Sequence, residues 1–253
     1  MLSLKWENRI FHLFLIWYAV GIILLAFDLL PSWLEWANAV FLILAGTLGF
    51  MYFVRRFGKP AGIIIGSIIF LATFIIEWAG ANSGFLFGSY DYTDRFAPNL
   101  FGVPIAIGFA WLMVVATSHV LARWIFPHGT FAYAVTGGIG AVIMDLIIDP
   151  VAYRIKFYWI WEDTGWYYGI PWTNFFGWFA VSFVLHLLID WVMRRKSMVI
   201  ADETSERRLV LLYLLMISMF AMLGALGGLW LAVAASTIPA ILLVALAWRR
   251  RPL

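Results

Sequence analysis

An all-α polytopic membrane bundle is the fold class this sequence predicts, and three observations predict it. Hydrophobic residues make up 64% of the chain and charged residues only 12%, against about 25% charged in an ordinary soluble domain. The apolar residues come in runs of about 20, the length that carries a helix across hydrocarbon. The basic residues segregate between those runs, as they do in membrane proteins of fixed orientation.

Eight runs read as spans: 10–30, 35–54, 61–80, 102–122, 131–150, 174–193, 208–227 and 229–248. The first, Ile10 to Leu30, is longer than the apolar core of a cleavable signal, and no Ala-x-Ala follows it, so it is expected to stay as a span. Residues 209–248 are one apolar stretch of 40, too long for one crossing. Gly227-Gly228 is the expected turn that divides it. Gly62-x-x-x-Gly66 and Gly224-x-x-x-Gly228 read as positions where helices pack closely. The whole chain, 1–253, is expected to be a single transmembrane bundle.

With eight spans, Lys5, Arg9, Arg55, Arg56, Lys59, Arg123, Arg194, Arg195, Lys196, Arg207, Arg208, Arg249, Arg250 and Arg251 fall on one side, 14 of the 17 basic residues. Only Arg95, Arg154 and Lys156 fall on the other. The positive-inside rule then places both termini in the cytoplasm. Two long connections, roughly 81–101 and 151–173, lie on the opposite, outer side.

Ionisable side chains inside spans are costly and point to function. Glu77 falls near the outer end of the third span. Asp145 and Asp149 fall in the last turns of the fifth, four residues apart and so on one helix face. Pro150 is expected to help end that helix. Both long outer loops reach the same level, so one polar, aromatic site at the outer end of the bundle is expected. The alternatives are structural: Asp149 solvated at the interface, Asp145 bonded to a Tyr or Trp for packing, Glu77 paired with Arg95 or Arg154. Asp28, Glu35 and Asp190 lie at span ends and read as solvated. His119 and His186 lie in the inner half of their spans and read as interhelical hydrogen-bond partners.

Several chemistries are excluded or weakened. The absence of cysteine removes disulfides, thiolate metal sites and thiol nucleophiles. All four lysines (Lys5, Lys59, Lys156, Lys196) fall outside the predicted spans, which argues against a retinal Schiff base. The histidines lack the close pairing of a di-iron membrane oxygenase. Asp145-x-x-x-Asp149 resembles half of the aspartate set that binds Mg²⁺-diphosphate in membrane prenyltransferases, but a second cluster is missing. No metal or cofactor site is expected, and the small net charge of +3 does not suggest a nucleic-acid partner.

The most specific signal is an ordered set of motifs. Glu77 is followed by Phe87-Gly88-Ser89-Tyr90-Asp91-Tyr92 and Gly102-Val103-Pro104, then by Asp145-Leu146-Ile147-Ile148-Asp149-Pro150. Trp159-Ile160-Trp161, Gly165-Trp166-Tyr167-Tyr168-Gly169-Ile170-Pro171 and Asn174-Phe175-Phe176-Gly177-Trp178 complete it. This set resembles the carotenoid biosynthesis family of membrane hydratases, which act on bisanhydrobacterioruberin or on the open ends of γ-carotene and lycopene. The resemblance covers about residues 75–180, a motif-bearing core, and no motif is matched in 196–253.

The resemblance implies a long polyisoprenoid (carotenoid) substrate, addition of water to a terminal carbon–carbon double bond, and a multi-pass protein of a bacterial or archaeal cell membrane. Such hydration needs an acid that protonates carbon, then capture of a tertiary cation by water, with no cofactor. A carboxyl group in apolar surroundings holds its proton more readily, and neighbouring carboxyls split acid and base roles. Asp145, Asp149 and Glu77 are the candidate catalytic residues. Trp78, Tyr90, Tyr92, Trp159, Trp161 and Trp178 are candidates to face the cation, each worth about 0.5–2 kcal/mol, and Asn174 is a candidate to orient water. Rival functions are a membrane carotenoid or isoprenoid cyclase, an Mg²⁺-dependent intramembrane prenyltransferase and a carotenoid-binding protein without activity.

Overall fold

A computed structural model describes residues 4–129, 131–195 and 203–251. Eight helices, α1 (Leu4–Ala26), α2 (Trp36–Phe57), α3 (Lys59–Ser83), α4 (Ile105–Ile125), α5 (Phe131–Val151), α6 (Trp172–Arg195), α7 (Glu203–Leu226) and α8 (Trp230–Arg250), are long and apolar enough to cross a membrane. In hydrocarbon a backbone must satisfy its own hydrogen bonds, and a helix does so within each span. Helix α4 is the centre of the bundle: it packs on α2, α3, α5, α7 and α8 and is buried along most of its length. Helix α1 is the most peripheral, with Glu7, Phe11 and Phe14 its buried residues.

The expected spans and the helices coincide to within three residues at each end, except at α1 and the start of α7. Helix α1 starts nearly two turns before the expected span and stops about one turn before its end, and polar contacts tie down its first turn. Buried Glu7 accepts from Arg55 (2.5 Å), Ser205 (2.7 Å) and Arg208 (3.2 Å). Nearby, Glu206 accepts from the Trp124 indole at 2.8 Å and lies 3.8 Å from Arg56. Several arginines that define the basic end of the bundle thus also staple α1, α2, α4 and α7 together. Lys196, counted with them, lies outside the described residues.

Gly227 and Gly228 do form the turn between α7 and α8, with Gly228 at a φ of +75° that suits glycine. Gly62 and Gly66 lie against Val54 and Phe50 of α2, so that pair serves close packing. Asp190 departs from expectation. It is buried, and Arg194 one turn on donates to it at 2.9 Å while also reaching the Gly129 carbonyl at 2.8 Å. His119 meets the expectation of an interhelical partner, its Nδ1 2.5 Å from the Tyr133 hydroxyl of α5, whereas His186 Nδ1 lies 2.7 Å from the Ser182 carbonyl of its own helix and its Nε2 is 3.5 Å from the Ser118 hydroxyl of α4.

Pro150 does not end its helix. The chain stays helical to Val151 and continues as a π-helical turn over Ala152–Lys156. Proline has no N–H to give the carbonyl one turn back, which here is Leu146. The Tyr167 hydroxyl donates to that carbonyl at 2.7 Å, and the helix runs on.

The two long loops sit at the end of the bundle opposite the start of α1 and the end of α8, and they pair with each other. Strand β1 (Tyr90–Tyr92) runs antiparallel to β4 (Trp159–Trp161), with Tyr90 opposite Trp161 and Tyr92 opposite Trp159. Side chains alternate across a strand, so both tyrosines and both tryptophans face inward. A small hairpin of β2 (Asn99–Leu100) and β3 (Val103–Pro104) leads into α4. Phe87 plugs this lid into the bundle: Gly80 of α3 and Gly177 of α6 flank its ring, and a Cβ at Gly177 would come within 2.6 Å of it. Thr173 donates to the Phe87 carbonyl at 3.0 Å, and Asp163 accepts from the Ser89 amide at 2.8 Å.

Candidate active site

Beneath the lid lies a cavity onto which Glu77, Asp145 and Asp149 all open. Each carboxyl is buried and is held from a different direction. Glu77 Oε2 accepts from the Tyr90 hydroxyl at 2.5 Å and the Tyr92 hydroxyl at 2.9 Å, and its Oε1 accepts from the Trp111 indole at 2.8 Å. Asp149 Oδ1 accepts from the indoles of Trp159 at 2.7 Å and Trp161 at 3.1 Å. Asn174 Nδ2 bridges the two aspartates, 2.7 Å from Asp149 Oδ2 and 2.8 Å from Asp145 Oδ2. One lid strand therefore clamps the acid of α3, and its partner strand clamps an acid of α5.

The three carboxyls are not equivalent. Glu77 and Asp149 each accept three donors, whereas Asp145 accepts the single bond from Asn174. Three donors suit an anion, since an ionised carboxylate has about four acceptor positions to fill. One donor suits a group that carries its own proton. The tyrosines that serve Glu77 are fixed as donors: burial, reinforced by the Glu77 charge, pushes both phenols well above their ordinary range.

Aromatic faces complete the polar end. Trp111 and Trp178 stack with ring centres 4.4 Å apart, Tyr90 and Trp161 lie 4.9 Å apart, and Tyr92 meets Trp159 edge-on at 6.0 Å. All six rings line the cavity. The rest of the cavity is apolar and runs between α2, α4 and α7, with Phe41, Met113, Val114, Met216, Met219 and Phe220 on its walls. Unbranched, polarizable methionines adapt to irregular shapes, so this wall is both apolar and adaptable.

Of the residues singled out from sequence, Glu77, Tyr90, Tyr92, Asp145, Asp149, Trp159, Trp161, Asn174 and Trp178 meet in this one cavity. Trp78 does not. It is 45% exposed on the outside of α3, because one residue along a helix turns the side chain by about 100°, away from the inward Glu77. Neither Arg95 nor Arg154 reaches Glu77: Arg95 lies over the Phe157 ring, and Arg154 lies over Tyr153 and donates to the Tyr168 carbonyl. The cavity residues that sequence reading missed include Trp111, Lys156 and Asn38. Trp111 sits in the middle of an apolar span, where its only cue was the need of a buried Glu77 for donors. Lys156, read as a loop residue, lies on the cavity wall at the end of the π turn.

Eight helices long and apolar enough to cross a membrane, around a lidded cavity that is acidic and aromatic at one end and apolar at the other, define a multi-pass membrane protein. The chain belongs to the carotenoid biosynthesis protein family, whose model matches residues 37–244, a wider stretch than the motifs alone cover. It is also similar to the bisanhydrobacterioruberin hydratase of Haloarcula japonica, with 28% identity over 144 residues. That match takes in 55% of this chain and 48% of the relative, so the chain spans about half the length of the curated protein it matches. No solved structure matches the chain. Its family membership places the protein in carotenoid biosynthesis.

Proposed function

We propose that the protein is a carotenoid hydratase that adds water to the terminal isopropylidene double bond of an acyclic carotenoid end. The observation that carries this reading is the convergence of three buried, unequally hydrogen-bonded carboxyls and six aromatic rings at one end of an otherwise apolar cavity. Asp145, with one donor on it, is the proton donor. Its O–H bond breaks as a C–H bond forms at the less substituted alkene carbon, leaving a tertiary cation. The faces of Trp161, Tyr90 and the Trp111–Trp178 stack shield that cation, each contributing about 0.5–2 kcal/mol. The Glu77 carboxylate, preorganised by its three donors, provides the opposing charge.

Water then forms the C–O bond and yields its surplus proton to Asp149. Asp145 and Asp149 stand one helical turn apart on the same Asn174 amide group, so the proton returns to Asp145 within the pair and the cycle closes without a cofactor. The Asn174 carbonyl is the acceptor that orients the water. Segregation of the basic residues supports an orientation with the termini in the cytoplasm and the lid on the extracytoplasmic face of the cell membrane.

The test is expression in bacteria that make lycopene or γ-carotene, with mass spectrometry of the extracted pigments. A product heavier by one water is expected. A rearranged product of unchanged mass would identify a cyclase, and no altered product from any acyclic-ended carotenoid would refute the enzymatic reading.

A further inference from the structure

The reaction proposed above consumes one water per turnover, and the acids lie beneath a lid. Asp145, Asp149, Ala152 and Lys156 fall at intervals of four, three and four residues along α5 and its π turn, so they form one stripe. All four line the cavity. Between the acids and the lysine, the stripe carries only the methyl group of Ala152, which is 1% exposed. At its far end lies Lys156, which is half-buried. The cavity wall also includes Asn38 of α2, likewise half-buried. Along α5 and its π turn the cavity lining is thus polar apart from Ile148 and Ala152, while α7 contributes the apolar Met216, Met219, Phe220 and Leu223.

We propose, on the strength of the hydratase reading, that this stripe is the water-delivery route. Water enters between Lys156 and Asn38, passes Ala152 and reaches Asp149, while the polyene occupies the apolar wall of α2 and α7. Ala152 is a positioning residue in this scheme: its small side chain keeps the file open. The route controls the fate of the cation. With water at hand, the cation gains a C–O bond. Without it, the cation loses a proton from an adjacent carbon to a carboxylate and reverts to an alkene.

That partition can be read in D₂O, where the donor carries deuterium and a reverting cation returns labelled carotenoid. Ala152→Leu should raise the ratio of deuterium-labelled recovered carotenoid to hydrated product by about tenfold, a change of roughly 1.4 kcal/mol in the partition. Asn38→Leu and Lys156→Met, at the entrance, should shift it in the same direction and stand in if Ala152→Leu does not fold. Labelling and hydration falling together, or an unchanged ratio in all three variants, would overturn the route.

A second measurement is independent of activity. The chain has no cysteine, so Ala152→Cys carries the sole thiol. A small water-soluble thiol reagent applied to membranes should modify it and should spare Ile147→Cys, which is fully buried and absent from the cavity wall. An unmodified Ala152→Cys would overturn the route whatever the reaction. Modification together with no hydrated product from the parent chain would keep the water route and refute the hydratase reading instead.

Discussion

Replacing Asn174 with Leu tests the acid pair most directly. The side chain keeps its approximate size, so the cavity wall is preserved, but both bonds from Nδ2 are lost, at 2.8 Å to Asp145 and 2.7 Å to Asp149. In the proposed cycle one of these carboxyls is ionised and the other neutral at any moment. A hydrogen bond to a charged group contributes about 1.5–3 kcal/mol and one to a neutral group about 0.5–1.5 kcal/mol, giving roughly 2–4.5 kcal/mol for the bridge. If the bridge acts fully in the transition state, hydration slows by roughly 30- to 2000-fold. The assay is the initial rate of hydrated product in membranes at matched protein level, with folding checked by thermal stability in detergent. The combination with Asp149→Asn should be strongly non-additive, because both changes disable one unit. Full activity in Asn174→Leu, or additive losses in the double variant, would refute the idea that the aspartates work through this amide.

Asp145→Asn should lower hydration by about 10²–10⁴-fold, the usual range for loss of a general acid, with Asp149→Asn and Glu77→Gln less severe; full product from all three would refute the site. Trp78→Ala should leave product yield within about twofold, as expected for a side chain outside the cavity and away from any network, measured in the same pigment-producing cells. Tyr92→Phe removes one of the three donors on Glu77 and should reduce the hydration rate by roughly 10- to 160-fold, from the loss of about 1.5–3 kcal/mol in a bond to a charged group. For pH, Tyr90 and Tyr92 have phenols pushed well up by burial, so their contribution to stability is whole below the ordinary tyrosine range and is lost as pH rises through the higher folded values. Phenolate absorbance from these two, isolated by comparison with the Phe variants, should therefore appear only as the lid unfolds in strong alkali.

Much of the fold was legible because the bilayer leaves few choices. A run of about 20 apolar residues must be helical to satisfy its backbone, and the glycine pair at 227–228 was the expected turn in a stretch too long for one crossing. The acids were legible for a related reason: a carboxyl inside a span is too costly to be incidental. What sequence concealed was direction. Trp78 and Trp111 are both tryptophans in apolar helices, yet one is 45% exposed and the other holds Glu77 from a fully buried position. Pro150 carries a breaking signal that Tyr167, 17 residues on, cancels through a single hydrogen bond.

The lid marks the boundary between the two kinds of information. Tyr-Asp-Tyr and Trp-Ile-Trp each alternate in polarity or size, but three residues are too few to specify a strand, and their pairing joins loops on opposite sides of α4 and α5. Sequence alone determined that this is an eight-helix membrane protein with acids and aromatics gathered at one end, because hydrophobicity and charge cost are local properties of each segment. Only the tertiary structure decided that the tyrosines of one loop hold Glu77, that the tryptophans of the other hold Asp149, and that Asp145 is left with a single donor. Those facts depend on which side chains from distant segments share a few ångströms of space, and packing alone sets that.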